Sequence, residues 1–329
     1  MGSAIRSSLR KSRLGFGMAA IGRPGYITIN HGIDVEDPSF DAMEQRALLL
    51  LDRAYKGGVR YFDVARSYGR AEDFLATWIS RNPRASDEIT IGSKWGYTYT
   101  ADWQITAAVH EQKDLSLAQL QRQWNETKTL LGSNLDLYQI HSATLMSGVL
   151  GDVTVREMLF DLRNENGVAI GLSLTGPDQV STLEYALSIE VGGEPLFDTV
   201  QATWNILESS VGNVLAEAHK SGVVVIVKEA LANGRLTGRG SKHLPHESLE
   251  TLRRAAVTTN TTISKLALAV VLAQPWVDVV LLGAITVDQL EDNLGATEIV
   301  LDDFTLNDLR SIAEQAEVYW DKRSKLPWT

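Results

Sequence analysis

The chain has 329 residues and a formal net charge of −10, with 31 Lys and Arg against 41 Asp and Glu, and no cysteine. A chain this long buries a large core, and an α/β barrel of this size is commonly one domain. The acidic balance, spread along the sequence, excludes a basic nucleic-acid or anionic-membrane surface. The lack of cysteine excludes disulfides, thiolate metal sites and a thiol nucleophile.

The opening segment carries Arg6, Arg10, Lys11 and Arg13 without the apolar stretch of a secretory signal. Residues 1–12 read as a flexible tail outside the fold, and the expected compartment is the cytoplasm. From there short apolar runs alternate with amphipathic stretches of helical length. Strands are expected at 13–17, 59–64, 88–93, 135–140, 168–173, 199–202, 223–227 and 277–282. Helices are expected between and after them at 41–56, 71–80, 116–131, 153–164, 178–189, 211–221, 262–272 and 287–294, with Ser116 and Thr262 as N-caps. Gly167 and Gly222 stand where a left-handed residue ends a helix and the next strand begins. Residues 233–250, rich in Gly, Arg, Ser and His, read as a long loop, and 305–319 as one helix appended outside the barrel.

Runs such as Val223-Val224-Val225-Ile226-Val227 are apolar on both faces, as strands of a parallel sheet must be. Eight such units with no break in composition predict a single-domain α/β fold, a (β/α)8 TIM barrel over residues 13–329. In such barrels the reacting groups sit at the carboxyl ends of strands, so polar residues that end apolar runs are the candidates. Asp63 closes the second run, Lys94 follows the third, His141 follows the fourth, and Tyr68 lies five residues past Asp63. A tyrosine donates its proton weakly at neutral pH, so an ammonium beside it that lowers its pKa makes it a better acid. Asp63 would keep Lys94 charged while buried, and a neutral His141 would orient a substrate oxygen. The other histidines fall in loops or helices. Asp34, Glu36 and Asp37 have no metal-ligand spacing and read as a solvated loop. Gly15-x-Gly17-x-x-Ala20 lacks the helix that a dinucleotide fingerprint requires, because Arg23-Pro24-Gly25 follows.

Tyr61-Phe62-Asp63-Val64-Ala65-Arg66-Ser67-Tyr68-Gly69, Ser93-Lys94 and Tyr138-Gln139-Ile140-His141 together resemble the signature segments of the aldo-keto reductase family. Gly171-Leu172-Ser173, Gln201-Ala202-Thr203-Trp204-Asn205 and the segment Gly283 to Asn293 continue the resemblance in order. It implies reversible NAD(P)H-dependent reduction of an aldehyde or ketone, without metal, with Asp63, Tyr68, Lys94 and His141 as the catalytic set. It also implies a cofactor bound by Gly17, Met18, Ser173, Gln201, Lys228, Leu231, Gly283, Gln289, Asp292 and Asn293. Trp95, Tyr97 and Tyr26 follow strand ends and are expected to line the substrate pocket.

Three departures bear on the cofactor. Leu174 replaces the asparagine that binds the nicotinamide carboxamide, Lys228 stands where an aromatic ring stacks on the nicotinamide, and Gly283 and Gln289 replace a lysine and an arginine. NADP(H) is favoured by analogy with branches that share the last pattern, with Arg235 or Arg239 helping from the loop, and NAD(H) is the alternative. The rival functional readings are a cofactor-binding regulatory subunit related to potassium channel β subunits, and a metal-free isomerase or lyase.

Overall fold

The computed structural model describes residues 2–29 and 31–329. Its first element departs from the sequence reading. Gly2–Leu9 form a helix, α1, that buries Ile5 and Leu9 against Tyr61, Leu137, Ala169, Val224, Ile226 and Val279. The expected free tail is therefore a plug, except that Met1 lies outside the described residues. A closed barrel leaves apolar side chains at its floor, and two residues one helical turn apart cover them. Leu9→Ala is expected to cost about 2–5 kcal/mol, seen as a lower urea midpoint at unchanged slope, whereas Ser7→Ala on the exposed side leaves the midpoint nearly unmoved.

The barrel begins with β1 (Leu14–Gly17), α2 (Phe40–Lys56), β2 (Tyr61–Asp63), α3 (Ala71–Arg81) and β3 (Thr90–Trp95). It continues through α4 (Leu117–Leu131), β4 (Leu137–Ala143), α5 (Val153–Asn166), β5 (Ala169–Leu174), α6 (Gln179–Leu187) and β6 (Thr199–Thr203). Then come α7 (Gly212–Ser221), β7 (Val224–Lys228), α8 (His246–Thr258), α9 (Ile263–Leu272), β8 (Val279–Leu282) and α10 (Val287–Leu294). Each strand pairs in parallel with the next, and β8 closes on β1. The caps fall where the sequence places them: Ser116 accepts from the Gln119 amide and Thr262 from the Lys265 amide. Gly167 (φ 72°) and Gly222 (φ 105°) end α5 and α7 in the left-handed region.

An acidic residue just before each of the fourth, sixth and eighth strands ties the floor together. Asp136, Asp198 and Asp278 accept from the amides of Ile91, Ile170 and Val225 on the preceding strands, at 2.8, 2.9 and 2.9 Å. These groups satisfy amides that the sheet ladder leaves open.

Three stretches differ from expectation. The region 233–250 contains the start of α8, and the single terminal helix is two, α11 (Asp303–Arg310) and α12 (Ala316–Ser324). Glu314 causes the break: its amide donates to Leu207 O, and its carboxylate takes Arg235 at 2.5 Å and Lys322 at 2.7 Å. Beyond β3 an antiparallel hairpin, Tyr97–Tyr99 with Glu111–Lys113, rises over the barrel mouth. The chain end returns to the same mouth, where Trp328 bridges to Ile27 and stacks on His110 at 4.1 Å. Among the described residues no single helix is long and apolar enough to cross a membrane.

Candidate active site

Three strands and the loop after one of them deliver polar residues to one point. Asp63 ends β2, Lys94 lies in β3 one residue before its end, and His141 lies in β4. Tyr68 sits in the loop after β2. The Lys94 ammonium donates to Asp63 Oδ2, to Val64 O at 3.1 Å and to the Tyr68 hydroxyl at 3.3 Å. On the far side of that hydroxyl, His141 Nε2 lies 3.4 Å away. Asp63 Oδ1 is further held by the Tyr61 hydroxyl at 3.0 Å and by Gln201 Nε2 at 2.8 Å. Gly92 makes room for this, since a Cβ there would strike the Tyr61 hydroxyl.

His141 owes its aim to a bulge. The β4–β5 register shifts between Ile140 and Ala143, and Ser142 takes φ 56°, a conformation that a non-glycine residue holds only when its surroundings enforce it. The enforcing partner is Ser173, whose Oγ accepts the Ser142 amide at 2.8 Å. Burial, followed by the Lys94, Lys228, Arg23 and Lys113 charges, holds the imidazole well below its ordinary pKa, so it is neutral.

The tyrosine corrects one expectation. Tyr68 is pushed well above its ordinary pKa, first by burial and then by the Asp63 charge. Lys94 carries its own counter-ion, so its field at the phenol is largely cancelled and burial dominates. The resting site therefore keeps the Tyr68 proton in place. Lys94 is positioned to act when charge appears on the phenol oxygen.

These groups open into a cleft of about 550 Å³ that runs past Gly17, Leu231, Gly283 and Gln289 to Asp292 and Asn293. Gln201, Lys228, Tyr97 and Tyr26 also line it. Met18, Ser173 and Trp95 do not: Met18 and Trp95 are buried in the core, and Ser173 serves the bulge. Leu174 is likewise a core residue and does not line the cleft. Three residues of the mouth escape a reading based on strand ends. Arg23, 2% exposed, donates to Ser67 O at 2.9 Å and pairs with Glu111 at 2.7 Å while lying over Tyr68 and Trp328. Arg323 on α12 grips Glu229, and Trp328 walls the cleft. Their partners are far away in sequence, so no local pattern marks them.

Glu229 takes φ 55° directly after β7, which turns its carboxylate onto Arg323 at 2.5 Å. Burial would raise that carboxyl, but Arg323 and Lys228 outweigh it and hold it at about 2. Lys228 does not lie free: its ammonium donates to Thr203 Oγ1 at 2.7 Å and sits 3.9 Å from Glu229. Burial pulls it down to about 8 against the pull of Glu229. A base whose folded pKa is depressed weakens the fold below that pKa, and the penalty fades as pH rises toward its unfolded value of 10.5. Lys228→Met, which keeps the stem and drops the charge, is expected to raise stability at pH 7 by up to about 3 kcal/mol. The gain vanishes near pH 10.5, and urea unfolding at the two pH values measures it.

The Aldo/keto reductase family model matches residues 13–314. The chain is 23% identical to aldo-keto reductase str7 of Strobilurus tenacellus, over 96% of this chain and 93% of that protein. It is 25% identical to an NADH-specific methylglyoxal reductase of Escherichia coli, over 93% of this chain and 96% of that protein. Among solved structures, aldo-keto reductase AKR11C1 from Bacillus halodurans in its holo form superposes with a TM-score of 0.70 at 22% identity, covering 93% of each chain. At that identity the likeness bears on the fold.

Proposed function

This chain belongs to the aldo/keto reductase family, and from that premise we propose that it reversibly reduces an aldehyde or ketone to an alcohol with a nicotinamide cofactor, Tyr68 being the proton donor. The observation that carries this reading is the Lys94 ammonium shared between Asp63 and the Tyr68 hydroxyl, with His141 Nε2 at 3.4 Å on the other side.

The cleft fits a dinucleotide. Its volume of about 550 Å³ is ordinary for a cofactor site. A Cβ built on Gly283 would meet nothing within 4 Å, so backbone faces open space there. In the same wall Asn233 Oδ1 is buried without a protein partner. Gly17, Leu231, Gly283, Gln289, Asp292 and Asn293 would hold the cofactor. The carboxamide end differs from the family pattern, because Ser173 and Gln201 are engaged by Ser142 and Asp63.

When bound, the reduced nicotinamide supplies the hydride. Tyr68 gives its proton to the carbonyl oxygen as negative charge grows there. Lys94, already donating to the phenol oxygen, stabilises the phenolate left behind, and Asp63 holds that ammonium in place. Neutral His141 donates or accepts one hydrogen bond and orients the substrate oxygen. Tyr26, Tyr97 and Trp328 narrow the mouth against water.

Steady oxidation of NADH or NADPH across a panel of aldehydes, quinones and sugars, with methylglyoxal included on the strength of the Escherichia coli relative, tests the proposal. No turnover of any carbonyl would overturn it. The diversion of Ser173 and Gln201 favours a second reading, a cofactor-sensing regulatory subunit, which a tightly retained nucleotide with no turnover would support.

A further inference from the structure

At the end of the cleft away from Tyr68, a carboxylate crosses from one wall to the other. Asp34, which ends the short helical turn His31–Asp34 after β1, has a side chain only 12% exposed. Its Oδ1 pairs with Arg239 at 2.6 Å and its Oδ2 accepts from Gln289 Nε2 at 2.9 Å. Gln289 is itself fixed, because its Oε1 accepts the Ile285 amide at 3.0 Å. One acidic group thus ties the β7 loop to the start of α10, and all three side chains line the cleft.

Among the described residues, the cations around this end already have partners. Arg239 is bound by Asp34, Lys265 pairs with Asp292 at 3.2 Å, and Arg235 is buried against Glu314 at 2.5 Å. Among the described residues lining the cleft near Gln289, Arg239 is the one cation. A 2′-phosphate is held by a bidentate arginine or an ammonium. To reach Arg239 it would have to displace Asp34 and then sit beside the carboxylate it displaced. A ribose 2′-hydroxyl has the opposite need: it is a donor, and a fixed carboxylate accepts from it.

Resting on the reading that residues 283–293 face the adenosine half of the cofactor, we propose that Asp34 is a ribose-binding acceptor that selects NAD(H) over NADP(H), with Arg239 and Gln289 as the residues that position it. The NADP(H) preference expected from the sequence pattern at Gly283 and Gln289 gives way to this, since the arginines expected to support it are committed to Asp34 and Glu314.

Direct binding tests the inference without turnover. NADH and NADPH are titrated into the full chain, with quenching of tryptophan fluorescence as the readout, for the wild type, Asp34→Asn and Arg239→Gln. The wild type is expected to bind NADH at least tenfold more tightly than NADPH. Asp34→Asn keeps the shape, removes the charge and releases Arg239, so the ratio should fall by tenfold or more, mostly through tighter NADPH binding that weakens with added salt. Arg239→Gln should weaken NADH modestly and leave NADH preferred. Wild-type binding of NADPH as tight as that of NADH, or an Asp34→Asn ratio equal to that of the wild type, overturns the inference alone. Failure of both cofactors to bind overturns the functional reading and this inference with it.

Discussion

Tyr68→Phe is expected to lower carbonyl turnover by about 10³-fold while NADH binding stays nearly unchanged. The substitution removes a single oxygen. The ring keeps its edge contact with His141 at 5.4 Å and its place under Arg23 at 5.5 Å, so the mouth retains its shape. Lys94 still holds Asp63 and Val64 O, so the buried charge pair survives and stability hardly changes. What disappears, on the proposed mechanism, is the proton that reaches the carbonyl oxygen. No other described group within hydrogen-bond reach of that point is equipped to replace it: His141 is held neutral by burial and by four cations, and Lys94 reaches the substrate side only through the Tyr68 oxygen. Single-turnover mixing separates the chemical step from binding and shows which of the two has changed.

The second large effect falls on the fold as well as on the chemistry. Asp63→Asn leaves the Lys94 ammonium, fully buried, without a counter-ion, and breaking one member of a buried pair costs about 3–5 kcal/mol. The new amide group also turns a donor toward Tyr61, Gln139 or Gln201, all of which point donors at Asp63 Oδ1. Lys94→Met is expected to be milder, because Asp63 keeps those neutral donors. The double variant should be more stable than Asp63→Asn alone, since no unpaired charge remains, yet as inactive as either single change. Urea midpoints for the four proteins form a cycle that measures the coupling. A double variant that loses the sum of the two single losses would mean that the pair contributes no coupling beyond packing.

Much of this architecture is legible along the chain because it is local. Apolar runs mark all eight strands, and Ser116 and Thr262 announce their helices. Asp63, Lys94 and His141 stand out because strand ends in a parallel barrel all face one mouth. What escaped has a common physical cause: it depends on partners distant in sequence. The basic opening segment looks like a tail until Ile5 and Leu9 meet the floor formed by Tyr61, Leu137 and Val279. Arg23, Arg323 and Trp328 carry no motif, and converge on the site only through the folded loops and the chain end. Ser173 reads as a cofactor ligand by resemblance, yet its hydroxyl is the partner of a bulge that no sequence pattern reveals. Asp34 reads as solvated because its two partners lie more than 200 positions away.

The most direct measurement follows the hydrogen itself. Wild-type protein is given an aldehyde and NADH carrying deuterium on the transferring face of its nicotinamide C4, and the alcohol is analysed by NMR and mass spectrometry. Direct reduction in a closed barrel mouth, with the proton drawn from Tyr68, places the deuterium on the carbinol carbon and none on exchange with water, with one cofactor oxidised per alcohol formed. Alcohol without label at that carbon, or product formed while the cofactor stays reduced, would contradict it.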